Sequence, residues 1–340
     1  MNTEGRKIIF ECVTGSHLYG TSNENSDQDF TGIFLPSAND LLGLQNPPSE
    51  WAMNEHKTDG PRNGAGDVDR KYYSLSKWLK MVADGQSWAV EMLFAPDDKV
   101  TVTSPEWGVI KAQAKLLISK KSVAGVVGFS MAQSHKASIK GENLKTVRDC
   151  ISVFKSYAGT DYRNDKGRKI KIKDVLLHDK GFPSKVSLKS LSKDLIAYPE
   201  FVNQGGTGMI AIAGRRFDIG MDIKRCMANL ELMEEKYGTR SEAAAKDGVE
   251  WKSLYHAYRL TYEAIELLDT GVITLPRPKG ERRFLMMIRN KEYEANYREE
   301  LQGLLKEIDE KHKPESKLPD KPAWSKINQL CMDLMRAHLT

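Results

Sequence analysis

The chain opens on an apolar run, Ile8, Ile9, Phe10 and Val13, that reads as a strand and stops at Gly15-Ser16. A residue without Cβ and then a small hydroxyl, placed at a strand end, let a phosphate come close to the backbone. After a polar stretch rich in Asn and Ser, Phe30-Thr31-Gly32-Ile33-Phe34-Leu35 reads as a second strand. Residues 36 to 66 interrupt every period with Pro36, Pro47-Pro48, Pro61, Gly60, Gly64 and Gly66, which predicts a loop acting as a mobile flap. Order resumes at Asp67, where a strand runs into a helix in which Leu75, Trp78, Leu79 and Val82 keep helical spacing. From Pro105 onward the pattern is predominantly helical. Met209 to Ala213, after Gly205, Gly206 and Gly208, reads as a hairpin or loop entering a strand, without the strand–glycine–helix context of a dinucleotide fingerprint. Val249 to Leu268 predicts an amphipathic helix with Trp251, Leu254, Tyr255, Tyr258 and Tyr262 turned to a core. Helical patterning continues through Phe284 to Ile288 and Tyr293 to Lys311, and the Met and Leu stripe of a last helix, Trp324 to Leu339, is core.

Charge adds the chemistry. Asp27 and Asp29 are one residue apart, so at the start of the second strand both point to one face. Two like charges that close repel, and a divalent cation between them relieves the repulsion; oxygen-only ligation suits Mg²⁺ with substrate phosphates completing its shell. Between residues 163 and 193 ten Lys or Arg stand against three acids. The run, which includes Lys169, Lys171 and Lys173, is open between a surface that tracks a phosphate backbone and a solvated insert.

At 340 residues, with 40% hydrophobic and 29% charged, the chain has the mixture of a soluble protein of two or three domains. No run of eighteen apolar residues suggests a membrane span, and the first residues lead into a strand rather than a signal-peptide core. Cys12, Cys150, Cys226 and Cys331 lack metal spacing and read as reduced thiols of a cytoplasmic protein. The balance of 51 Lys and Arg against 46 Asp and Glu does not by itself establish a nucleic-acid partner.

Gly15-Ser16, a loop of about ten residues, then Asp27-x-Asp29 entering an apolar strand resembles the signature of the DNA polymerase beta-type nucleotidyltransferase superfamily. Asp69 ahead of Tyr73-Ser74-Leu75, then Lys77-Trp78-Leu79 and Glu91-Met92-Leu93-Phe94, is similar to its predicted RNA-repair (RlaP-type) subfamily, as are Gly128 to His135 and the Lys252, His256, Arg259 pattern before Leu267-Leu268-Asp269-Thr270-Gly271. The resemblance implies an α+β fold, with a mixed sheet and flanking helices over residues 1–115. A mainly helical domain over 116–340 would follow, carrying the basic insert at about 160–225. It implies two Mg²⁺ ions held by Asp27, Asp29 and Asp69, of which Asp69 also takes the proton of the attacking hydroxyl; Asp67, on the same strand face, remains the alternative. A nucleoside triphosphate, ATP or CTP, would bind at Gly15 and Ser16. Lys252, His256 and Arg259 share one helical stripe and are candidates for its phosphates or the acceptor's, although His256 also fits a structural role and Arg259 a carboxylate contact, and Glu91 is open between orienting the site and a buried structural carboxylate.

The expected reaction is transfer of a nucleoside monophosphate to an acceptor hydroxyl with release of pyrophosphate. The first candidate acceptor is an RNA 3′ end, which Lys169, Lys171 and Lys173 would help bind. AMP transfer to a protein hydroxyl and a non-catalytic nucleotide- or RNA-binding module stay open, as does the oligomeric state.

Overall fold

In a computed structural model, the structure describes residues 5–24, 26–44, 46–55, 68–158, 161–178, 209–213, 215–236, 246–293 and 296–340. Two compact units divide the chain: one takes residues 1–134 and 255–340, the other residues 135–254.

The first unit is built on a five-stranded mixed sheet, which bears out the α+β class. Its strands β1 (Lys7–Thr14), β2 (Gln28–Leu35), β3 (Glu50–Glu55), β4 (Val68–Ser74) and β5 (Val100–Thr103) lie in the order β3-β4-β2-β1-β5. Only the β2–β4 pair is parallel. Residues 36–55 are therefore not all loop: Ser37 caps a short helix, Ala38–Leu42, and β3 adds an edge strand to β4. Residues 56–66 of the expected flap lie outside the described residues.

What fixes the register of β2 against β4 sits on one face of this sheet. Glu11 of β1 is buried, and burial alone would raise its carboxyl pKa. Hydrogen bonds donated by Arg70 (2.6 Å), Thr101 (2.5 Å) and Tyr72 outweigh that and hold it below the ordinary carboxylate value. Glu11 is on β1 and Tyr72 on β4, so the Tyr72 side chain must cross the intervening strand β2. It does so over Gly32, which pairs with Glu11 on one side and Tyr72 on the other. A Cβ at Gly32 would stand 2.5 Å from Tyr72 Cδ1 and 2.8 Å from the Phe10 carbonyl oxygen.

Helices cover the sheet. Ser74 caps the helix Leu75–Ala83, whose Trp78, Leu79 and Val82 are buried as their spacing predicts. Trp107 of the helix Pro105–Ala112 stacks on Phe10 at 3.8 Å and meets Trp78 edge-on at 5.5 Å. The chain returns to this unit with Tyr255, and the helices Trp251–Thr270, Lys279–Arg289 and Trp324–Leu339 match the helical periodicities of the sequence.

In the second unit a core of Val147, Cys150, Phe154, Ile172, Val175, Phe217, Ile223, Cys226 and Leu230 joins the end of a long helix, Lys120–Ser156, to the hairpin Met209–Ile212 and Arg215–Asp218 and the helix Ile223–Lys236. Residues 179–208, which include Lys180, Lys185, Lys189 and Lys193, lie outside the described residues. Among the described residues no helix is long and apolar enough to cross a membrane.

Gly32→Ala forces a Cβ into Tyr72 and the Phe10 carbonyl. It should destabilise the protein by about 1–3 kcal/mol, the usual range for overpacking, read as a lower urea midpoint. An unchanged midpoint would mean that Tyr72 does not cross β2 at this position.

Candidate active site

The Gly-Ser turn follows directly from the end of β1. Gly15 has φ 68° and ψ −147°, a conformation that costs a side chain strain, and it starts a single helical turn, α1 (Ser16–Tyr19). Its carbonyl accepts the N–H groups of Leu18 and Tyr19 at 3.0 and 3.2 Å. An ideal Cβ on Gly15 would lie 3.5 Å from Asp29 Oδ2. The Gly15 backbone thus borders the carboxylate directly.

Asp29 is the second residue of the central strand β2, and its neighbours are Thr14 on β1 and Asp69 on β4. Parallel strands in register put Asp29 and Asp69 side by side on one face, with backbones about 4.8 Å apart. That face is opposite to the one holding Glu11, because Gly32 and Tyr72 lie three residues beyond the two aspartates. Asp27 precedes β2 by one residue and is exposed, whereas Asp29 and Asp69 are half-buried. Asp67, the alternative to Asp69, lies outside the described residues. Two adjacent half-buried carboxylates are a donor set that fits a hard divalent cation, with substrate oxygens and water as further ligands. Among the described residues no group of three or more His, Cys, Asp and Glu is disposed around a metal position, so Asp27 does not close a three-carboxylate cluster here.

The α1 turn is anchored from beneath. Tyr19 is buried and donates to Glu91 Oε2 at 2.6 Å, while the Arg259 guanidinium lies 3.9 Å over its ring and donates to Glu91 Oε1 (2.6 Å) and Glu263 Oε1 (2.7 Å). Arg259 is only 3% exposed. The sequence left it between a phosphate and a carboxylate contact; in the structure it meets two buried acidic side chains, Glu91 and Glu263. Glu91, left open between two roles, is the buried partner of Tyr19 and Arg259. On the same helix His256 is half-buried with its ring against Tyr255, and Lys252, in the second unit, is exposed. The three-residue stripe therefore does not present one cationic face.

Two arginines that the sequence reading passed over lie against the turn and the loop that precede the aspartates in the chain. On the helix Lys279–Arg289, Arg289 donates to the Thr21 carbonyl and to Ser26 Oγ (3.0 Å), holding the loop that delivers Asp27 and Asp29. Arg282, seven residues earlier and so on the same face of that helix, packs on Gly20, the residue that ends α1. Periodicity gave a signal, an i, i+7 pair of arginines, but not which element it faced.

In the second unit Lys169, Lys171 and Lys173 are all exposed. The segment carrying them runs beside residues 219–223, through the Ile172 N–H to the Met221 carbonyl (3.0 Å) and the Lys173 N–H to the Ile219 carbonyl (2.9 Å). Arg215, Arg216, Lys224 and Arg225 of the hairpin and following helix are exposed as well.

Residues 1–157 match the family RlaP, described as the RNA repair pathway DNA polymerase beta family. The resemblance read from the sequence therefore holds over this part of the chain. It fits the mixed sheet and supports a nucleotidyltransferase-type role. An uncharacterized 38.9 kDa protein from the nrdC-mobD intergenic region of Enterobacteria phage T4 is 28% identical over 281 residues, 79% of each chain. No solved structure matches the chain.

The anchor is pH-sensitive. Burial drives the Glu263 carboxyl up to about 8 from an ordinary 4.5; Arg259 and Arg277 oppose the rise and Glu91 adds to it. Between those values the folded chain keeps a proton that the unfolded chain releases, so this group's contribution to stability is lost as pH rises through the window. Chemical denaturation from pH 4.5 to 8 should show a smaller decline with pH for Glu263→Gln than for the wild type. Equal declines would remove Glu263 as the titrating group.

Proposed function

We propose that the chain is a Mg²⁺-dependent nucleotidyltransferase that moves a nucleoside monophosphate from a nucleoside triphosphate, ATP or CTP, to the 3′-hydroxyl of an RNA end. The observation that carries this reading is the in-register pairing of Asp29 with Asp69, with the Gly15 backbone beside Asp29. Asp29 and Asp69 would hold the metal, joined by Asp27 from the loop before β2. Bound there, Mg²⁺ would neutralise phosphate charge and make the acceptor hydroxyl more acidic.

The residues divide the remaining work. Gly15 and Ser16 leave the phosphates a close approach to the backbone, because no Cβ stands at Gly15. Asp69 accepts the acceptor's proton as its oxygen forms a bond to the α-phosphorus, and the opposite bond breaks to release pyrophosphate. Glu91 and Arg259 do no chemistry in this scheme. They fix Tyr19 and with it the turn that begins at Gly15. In the second unit the exposed Lys169, Lys171 and Lys173 supply cations along which an RNA backbone can lie.

Asp29→Asn and Asp69→Asn should each lower transfer of labelled nucleotide to RNA by about a hundredfold or more, the scale on which acid–base groups and metal ligands act. The fold should persist, since each change relieves like-charge repulsion. Full activity in either variant would remove this site; label recovered on protein rather than RNA would assign AMP transfer to a protein hydroxyl.

RNA affinity should fall with salt at a log–log slope of roughly −0.7 per contact for a single strand. Replacing Lys169, Lys171 and Lys173 together with Gln should flatten the slope by about two units. Wild-type binding without salt dependence, or a triple variant with the wild-type slope, would sink the RNA-tracking role.

A further inference from the structure

On β4 the residues that share a face with Asp69 are Lys71 and Tyr73, two and four positions further along the strand. Lys71 is exposed and holds its ammonium 5.1 Å from the centre of the Tyr73 ring. Lys77, in the first turn of the helix that β4 enters, brings a second ammonium to the same ring, at 5.5 Å. Tyr73 is itself buried against Trp88, with ring centroids 4.5 Å apart, so it is a fixed floor for the two ammonium groups rather than a surface open to a base.

Both cations converge on one oxygen. Glu50 Oε2, on the edge strand β3 directly opposite Tyr73, lies 2.7 Å from Lys77 Nζ and 3.7 Å from Lys71 Nζ. One carboxylate against two ammonium groups leaves a net positive charge. Nor is the cluster sealed from water: the side chains of Lys71 and Glu50 are each 47% exposed and that of Lys77 28%. Exposed ion pairs of this kind are weak, so an incoming phosphate can take the place that Glu50 holds. Arg259 and Arg277 differ on this point, since their guanidinium groups are buried against their carboxylates.

We infer that Lys71 and Lys77 form a phosphate-binding surface whose occupant is the last internucleotide phosphate before the 3′ end of a single-stranded RNA acceptor, and that Glu50 is the internal anion this phosphate displaces. The position of the surface argues for the acceptor. In the strand order β3-β4-β2-β1 the Gly15 turn follows β1 and borders Asp29, whereas the lysines lie on the β4 side with Asp69. Phosphates of the triphosphate and of the acceptor thus reach the two carboxylates from opposite flanks. Asp69 and Lys71 are separated by about 7 Å of strand, comparable with the length of one nucleotide. An ammonium on a flexible stem suits a backbone phosphate, which needs charge and no fixed geometry. The RNA occupant rests on the nucleotidyl-transfer reading; the cationic surface does not.

The test follows the fluorescence anisotropy of a labelled single-stranded oligoribonucleotide with the full chain, in chelator so that no turnover enters. Lys71→Gln combined with Lys77→Gln should weaken binding about tenfold and flatten the log–log salt slope by roughly 1.4 units, two contacts at about 0.7 each. Glu50→Gln should do the opposite and tighten binding about two- to fivefold, because it removes the competing carboxylate. Replacing Lys111 and Lys115 together with Gln, two exposed lysines elsewhere in this unit, removes the same charge and should have little effect. No RNA binding by the wild type, wild-type affinity and slope in the Lys71 and Lys77 double variant, weaker binding in Glu50→Gln, or an equal loss in the Lys111 and Lys115 control each overturns the surface. Neutral methylphosphonate linkages identify the occupant. At the last linkage before the 3′ end, one should erase the difference between the wild type and the double variant; at the 5′ end it should not. Any other pattern overturns the 3′-end assignment. If Asp29→Asn and Asp69→Asn keep full transfer activity while the double variant still loses RNA, the transfer reading fails and the surface stands.

Discussion

The geometry of the candidate site depends on a buried carboxylate that touches no substrate. Glu11 gathers Arg70 and Tyr72 of β4 and Thr101 of β5 across the middle of the sheet, and Gly32 is the gap that lets Tyr72 through. A slip of one residue between parallel strands would turn Asp69 to the other face and leave Asp29 alone. Because Tyr72 reaches Glu11 only when Gly32 lies beneath it, the polar cluster admits one register. It does more than stabilise the sheet: it decides which carboxylates become neighbours three residues away, on the opposite face.

A second buried cluster performs the same service for the Gly-Ser turn. Four residues of helix cannot hold themselves in place, since a single turn is far below the length at which a helix is stable in water. The turn is held by Tyr19, fixed between Glu91 and Arg259, and Arg259 is held in turn by Glu263 on its own helix. Removing one member of such a cluster strands the others as buried charges, at a typical cost of 3–5 kcal/mol. The parts of the site nearest to chemistry are short and partly exposed, so their positions are set by denser, drier clusters behind them.

Much of this was visible in the sequence where interactions are local. The Gly15-Ser16 break, the aspartates flanking the start of β2, the Leu75–Val82 helix and the last helix all follow from spacing, and the structure has them there. Pairing across long separations was not legible in spacing. The family resemblance, not periodicity, put Asp69 with Asp27 and Asp29, whose strands in the structure pair in register although forty residues separate Asp29 from Asp69, and β3 was missed because a six-residue edge strand, Glu50–Glu55, carries little alternating signal after Pro47-Pro48. The stripe of Lys252, His256 and Arg259 was correctly drawn as a stripe. Its direction was not legible, because the partner that draws Arg259 inward, Glu91, is 168 residues away in the chain.

Arg259 shows why spacing alone does not decide between a phosphate and a carboxylate contact for a cationic residue. An arginine already matched by buried carboxylates cannot turn to a ligand without leaving those carboxylates unpaired, and that penalty exceeds what one more phosphate contact returns. Arg259 and Arg277 are in that position. Arg289 spends its donors on a carbonyl and a hydroxyl, which order the loop before Asp27 without neutralising the charge. What decides whether such a cation can meet an anion is therefore the carboxylates already holding it, not its place on a stripe.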